Sequence, residues 1–298
     1  MMRYHMLKWN LFLLAVVLTG LAFPFLILGQ QSPQTTPESI ALEYLSKYEY
    51  AVDRSVTGKE RAIKEAQGFL FMPGVEPTGK LDAYTVAAMQ ALRCGCPDHA
   101  RASEYGEARA TWPKGCYDNL LIHVDFAGSP YPESQLRPAF QDVLDGFMDV
   151  CGLGLSFTND RSQANIVINW QAISGQTIGL GYYPNGTCQL GLRQHLDRSY
   201  RATIGFIQQL FAHELGHNLG FEHTNGGLMH PSIREPWSGI RKTDPTYSRL
   251  VKAYEQPSEP PVVLLPVRKP IGPKLPFEGK WLQLFELSTE TSTGGWWN

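Results

Sequence analysis

Residues 213–223 read His-Glu-Leu-Gly-His-Asn-Leu-Gly-Phe-Glu-His, a string whose residue types and spacing suit a divalent metal. On a helix of 3.6 residues per turn, His213 and His217 lie one turn apart on the same face, so both imidazoles can reach one ion. Glu214 then sits beside them and faces the fourth coordination position. Gly220 accepts backbone angles that other residues avoid, which lets the chain turn and bring His223 back as a third ligand. Three neutral imidazoles on zinc leave one position open for water. Zinc lowers the pKa of that water to about 7, and Glu214 is placed to take its proton and pass it to a leaving amine. The same ion polarises a carbonyl and stabilises its oxyanion, so the chemistry implied is amide hydrolysis.

Hydrophobic periodicity locates the elements that must carry these residues. A helix over about Ile204–Gly220 holds the string. Strands are expected at Leu120–Phe126, Leu155–Thr158 and Ala164–Trp170, the last nearly continuous in apolar residues and therefore central. Leu180–Tyr183 and Cys188–Leu192 flank Pro184-Asn185-Gly186-Thr187 and read as a hairpin. Ser134–Val150 has an apolar helical stripe, and a last helix over Pro245–Tyr254 starts from Asp244 as N-cap. Upstream, Glu38–Tyr50, Lys59–Met72 and Leu81–Leu92 read as three helices of a small domain ending at Cys94. His99–Thr111 is polar, charged and small, an exposed connector where a protease would cut most easily. The expected division is therefore 1–30, 31–98, 99–111, 112–255 and a proline-rich linker with an aromatic tail, 256–298.

The chain has 298 residues, a net charge of −2, 43% hydrophobic and 18% charged content. These values fit a globular protein and give no electrostatic support for nucleic-acid binding. Arg3 and Lys8 precede an apolar run from Leu11 to Gly29, which reads as a cleaved export signal or as an N-terminal anchor. Either places the protein outside the cytoplasm, secreted or tethered through residues 11–29, with membrane contact through that segment alone. Five cysteines (Cys94, Cys96, Cys116, Cys151, Cys188) suggest one working thiol and leave room for up to two disulfides, and four cysteines allow three connectivities.

Residues 213–231, ending Leu228-Met229-His230-Pro231, resemble the catalytic signature of the matrixins, the matrix metalloproteinase family of metzincins. Thr78-Gly79-Lys80-Leu81-Asp82 and Arg93-Cys94-Gly95-Cys96-Pro97-Asp98 look like the end of a matrixin propeptide with its cysteine switch. The resemblance covers roughly residues 38–254. It implies an α+β, zincin-like catalytic domain, a twisted mixed sheet plus three helices, preceded by a three-helix propeptide of peptidoglycan-binding type. It implies one catalytic zinc on His213, His217 and His223, with Cys94 as fourth ligand in the latent form only. Met229 would be a floor beneath the metal, and Arg93 with Asp98 a salt bridge shaping the switch loop. Leu180, Gly181, Tyr182 and Pro231 would line the substrate groove. The activity implied is that of a secreted zinc metalloendopeptidase, made as a latent zymogen and acting on extracellular proteins as a monomer. Its partners would be a peptide or protein substrate and its own propeptide.

The sequence departs from that pattern in several places. Leu92 stands where the family has proline. Cys96 is unusual beside Cys94 and leaves open a competing metal contact or a disulfide. Tyr182 replaces an expected structural-zinc histidine, and the loop that carries calcium sites in animal matrixins is short, so Ca2+ has no support from the residues. His123 and His195 lack the family's spacing and read as strand or surface histidines. The tail is too short for a propeller. A second reading is a cell-wall or matrix binding protein with an inactive protease-like domain, because the N-terminal helices also resemble a peptidoglycan-binding fold.

Overall fold

The computed structural model describes residues 35–50, 55–71, 74–98 and 110–254. The apolar run 11–29, residues 99–109 of the connector and the tail 256–298 lie outside the described residues.

Three helices open the described chain: α1 (Pro37–Lys47), α2 (Val56–Leu70) and α3 (Ala83–Met89). Each begins where a short polar side chain accepts a first-turn amide: Thr36 from Ser39, Ser55 from Gly58, and Asp82 from Thr85. They enclose a small core of Ala41, Tyr44, Leu45, Ala62, Ala66, Leu70 and Met89. Gln67 is buried on α2 and pins the following loop. Its Oε1 accepts from Gly79 N–H at 2.7 Å, while its Nε2 donates to the Lys80 carbonyl and to Thr85 Oγ1, both at 2.9 Å. Gly79 has φ +75°, a conformation that favours glycine. α3 stops three residues short of Leu92, because the chain must become extended to enter strand β1 (Arg93–Cys94).

The main region begins with a short helix, α4 (Lys114–Tyr117), followed by β2 (Leu120–Asp125), α5 (Glu133–Met148), β3 (Leu155–Phe157), a 3-10 turn at Arg161–Gln163 and β4 (Ile166–Gln171). β5 (Thr177–Gly181), β6 (Leu192–Asp197), α6 (Ile204–Asn218) and α7 (Pro245–Ala253) complete it. The sheet order is β1-β5-β6-β4-β2-β3. β3, β2, β4 and β6 run parallel, β5 is antiparallel to β6, and β1 from the N-terminal region adds in parallel beyond β5. β4 lies inside the sheet, with Ile166, Val167 and Ile168 all buried. α5 and α6 pack through Phe140 and Phe211, whose rings stack at 4.1 Å.

Several expectations need correction. The second hairpin strand is Leu192–Asp197, not Cys188–Leu192, so Cys188 falls in the preceding loop. Cys188 is disulfide-bonded to Cys116, with Cα atoms 5.6 Å apart. A second disulfide does not form: Cys94, Cys96 and Cys151 are buried free thiols, set on different elements or claimed by other contacts. Ala110 and Thr111, counted as exposed connector, are half-buried. The Ala110 carbonyl would meet a Cβ at Gly220 at 2.8 Å, so this end of the connector lies against the turn after α6.

Candidate metal centre

α6 is apolar on almost every side, and each residue from Leu210 to Asn218 is buried, as befits a helix running through the middle of a domain. It ends on Gly220 at φ +93°. Phe221 N–H bonds the Gly216 carbonyl at 3.0 Å and Gly220 N–H bonds that of His217 at 2.9 Å, the Schellman arrangement. This turn carries the chain back over the helix end and delivers His223 to the same point as His213 and His217. His223 Nε2 lies 3.3 Å from His213 Nε2 and 3.2 Å from His217 Nε2.

The other ring nitrogens fix the tautomers. His213 Nδ1 faces the Leu228 carbonyl at 2.8 Å, and His217 Nδ1 faces the Phe221 carbonyl at 2.7 Å. A carbonyl accepts only, so both Nδ1 atoms carry the proton and both Nε2 atoms present lone pairs. His223 Nδ1 faces Asp98 Oδ1 at 2.9 Å and is assigned in the same way. Three lone pairs then converge with no proton among them, an arrangement that a cation relieves. Burial also holds the pKa of His213 well below the usual imidazole value, which keeps that ring neutral as a ligand must be.

Cys94 reaches this point from β1. Its Sγ lies 3.4 Å from His217 Nε2, and the ligand atoms of Cys94, His213, His217 and His223 are all within 4.8 Å of one another. Three imidazoles and one thiol make a donor set suited to zinc. Glu214 borders the cluster. Its Oε2 is 3.5 Å from the Cys94 thiol, and its buried Oε1 has no hydrogen-bond partner. Burial, followed by nearby Cys96, pushes its pKa well above the usual carboxylate range. Cys94 is likewise raised by burial, so a metal must displace its proton on binding.

Backbone contacts place β1 and the residue after it. Cys94 N–H donates to the Pro231 carbonyl at 2.8 Å, and Gly95 N–H to that of Gly179 at 2.8 Å. Cys96 Sγ donates to the Gly181 carbonyl at 3.1 Å. β5 itself packs directly on α6: a Cβ at Gly181 would come within 2.8 Å of His217 Cβ, and one at Gly179 within 2.8 Å of Leu210 Cδ1. Leu180 pairs with His195 across the hairpin, while Tyr182 is exposed and its carbonyl accepts from Asn218 Nδ2 at 2.8 Å. Met229 is fully buried, with its sulfur against the backbone of α6 at Gly216.

Arg93 and Asp98 form a buried ion pair, bidentate in that Nη1 meets Oδ2 at 3.0 Å while Nη2 meets Oδ1. The Arg93 guanidinium lies 3.8 Å from the Tyr48 ring centroid, and Tyr50 donates to Asp98 Oδ2 at 2.6 Å. His123 and His195 stand apart, on β2 and β6, with Thr158 and Asn169 as their partners.

Two residues, Asn218 and Tyr183, and one contact of Asp98 were not expected from the sequence. Asn218 ties the end of α6 to the hairpin through the carbonyls of Tyr182 and Arg193, and its own carbonyl accepts from Trp112. Its place inside the histidine string was the available signal. The Tyr183 hydroxyl lies 2.8 Å from His217 Nδ1. Asp98 contacts His223 over 125 residues of chain, for which no local pattern exists.

The family described as metallo-peptidase family M12B, reprolysin-like, matches residues 124–224, which run from β2 to just beyond His223. Among curated relatives, matrix metalloproteinase-18 of Xenopus laevis is 28% identical over 243 residues, covering 74% of this chain and 50% of its own. Stromelysin-2 of Rattus norvegicus is 27% identical over 219 residues, 65% of this chain and 44% of its own. Interstitial collagenase of Equus caballus is 26% identical over 229 residues, 72% of this chain and 45% of its own. The chain thus spans about half the length of these relatives. The two comparisons agree on a metallopeptidase and differ in the family named. A match over 74% of the chain is longer than residues 112–255, so the likeness to matrix metalloproteinases reaches past the region that holds the histidines.

Proposed function

We propose that this chain, a matrixin-like metallopeptidase, is a zinc endopeptidase made as a latent, exported zymogen that cleaves extracellular proteins. Residues 31–98 are the propeptide, 99–111 the activation linker and 112–255 the catalytic domain, with residues 1–30 directing export. The observation that carries this reading is the convergence of three imidazole nitrogens and the Cys94 sulfur, with Glu214 at their edge.

His213, His217 and His223 hold the metal, and Cys94 fills the fourth position while the N-terminal segment is in place. Bound zinc supplies a Lewis acid that acidifies water and polarises the scissile carbonyl. Glu214 is the general base, and in the latent arrangement the Cys94 thiol borders its Oε2. Beneath β1 the carboxyl is enclosed, and burial raises its pKa. Departure of residues 93–98 removes the Cys94 thiol that stands 3.5 Å from Glu214 Oε2 and admits water there, whose proton Glu214 accepts. The segment of Cys94 and Gly95 also occupies the Gly179 carbonyl, an acceptor an extended peptide needs for strand addition on β5, and the Pro231 carbonyl beyond Met229. Pro231 would wall the pocket for the side chain after the scissile bond.

The binding-protein reading is disfavoured, because a wall-binding module has no use for a buried thiol 3.4 Å from a histidine nitrogen. The deciding experiment measures zinc content and hydrolysis of a generic peptide before and after removal of residues up to Thr111. One zinc per chain in both forms, with hydrolysis only after removal, is the expected outcome. Hydrolysis absent from both forms would reject the enzyme reading.

A further inference from the structure

His213 and His217 take the acceptors for their Nδ1–H groups from the main region, the carbonyls of Leu228 and Phe221. His223 faces Asp98, which lies in the N-terminal region, and both side chains are fully buried. Asp98 is itself clamped from behind by the Arg93 guanidinium and by the Tyr50 hydroxyl, so its carboxylate has little freedom to turn away from the imidazole.

We propose that Asp98 is a positioning residue for His223, so that the N-terminal segment completes the metal site it also blocks. The inference rests on reading the histidine cluster as a zinc site. A carboxylate that accepts an Nδ1–H fixes the ring's tautomer and orientation and makes Nε2 a stronger donor, and loss of such a partner typically costs 10- to 100-fold in metal affinity. Processing within residues 99–111 followed by release of the segment takes Asp98 away from His223. The metal is then held more loosely in the processed enzyme than in the zymogen, and the zymogen is the form in which zinc is loaded.

The test uses the full chain loaded with zinc, as wild type, Asp98→Asn and Tyr50→Phe. Tyr50→Phe disturbs the same buried cluster but leaves the carboxylate facing His223. Two quantities are read: the rate of zinc transfer to an excess of chromophoric chelator, and the ring N–H proton signals of 15N-histidine-labelled protein. Asp98→Asn is expected to speed zinc transfer about 10- to 100-fold and to shift the His223 signal while those of His213 and His217 stay in place. Tyr50→Phe is expected to leave the His223 signal near its wild-type position. An Asp98→Asn chain with the wild-type transfer rate and an unmoved His223 signal would overturn the inference. So would equal shifts of all three signals in both variants, which would mark a general loosening of the cluster. A wild-type chain that takes up no zinc would sink the zinc reading itself, and this inference with it.

Discussion

In residues 112–254 the interior is an apolar layer between sheet and helices, running from Trp112 to Tyr254 and interrupted by the histidine cluster. In residues 35–98 the apolar core is small, and beside it lies a buried polar hub of Arg93, Asp98, Tyr44, Tyr48 and Tyr50. A large apolar core keeps a domain folded by itself. A hub of charge and phenol holds only while every partner is present, because removing one leaves another buried without compensation. Under the proposed function, the contrast suits a catalytic body that persists and an N-terminal cover that is released. The N-terminal region meets the histidine cluster through directional contacts: Cys94 N–H to the Pro231 carbonyl, Gly95 N–H to the Gly179 carbonyl, and Asp98 to His223.

The largest expected effect breaks function while leaving both regions folded. Glu214→Ala, in chain processed to Thr111, should lower peptide hydrolysis by at least about 10²- to 10⁴-fold while zinc content stays the same. Unchanged turnover would exclude Glu214 as the base. Next comes the hub. Arg93→Ala leaves the Asp98 carboxylate buried without its cation, so it should destabilise the N-terminal region by about 3–5 kcal/mol and make full-length chain hydrolyse peptide without processing. If full-length Arg93→Ala stays latent and melts as wild type does, the hub is not what holds the cover.

A smaller effect concerns pH. His230 is buried beside Arg234, and burial, then that guanidinium, lowers its pKa to about 4. The unfolded chain therefore binds a proton here from about pH 6.5 downward, while the folded chain does not until about pH 4. The stability this neutral imidazole provides is present above pH 6.5 and is lost as pH falls to about 4, in total roughly 3 kcal/mol. Urea unfolding at pH 7 and pH 4 should show a smaller difference in His230→Phe than in wild type. Equal differences would show that His230 is not the group responsible.

What the sequence made legible was local. His213 and His217 are four residues apart on one helix, and Gly220 is the glycine a Schellman turn requires, so spacing alone located these geometries. The parallel strands β2 and β4 announced themselves by runs of apolar residues. β6 did not, because Gln194, His195 and Asp197 are polar and yet buried, each held by a particular bond such as Gln194 Nε2 to the Phe211 carbonyl at 3.3 Å. β1 is two residues long and exists through its pairing with β5, a register that hydrophobic period cannot encode. The Asp98–His223 contact belongs to the same class, since it joins residues 125 positions apart in the chain.

X-ray absorption at the zinc edge tests the central claim most directly. In full-length chain the account requires about three nitrogen ligands near 2.0–2.1 Å and one sulfur near 2.3 Å. After removal of residues up to Thr111 the sulfur should vanish, with a nitrogen or oxygen in its place. Zinc without sulfur in the full-length chain, or sulfur that survives removal of Cys94, would contradict it.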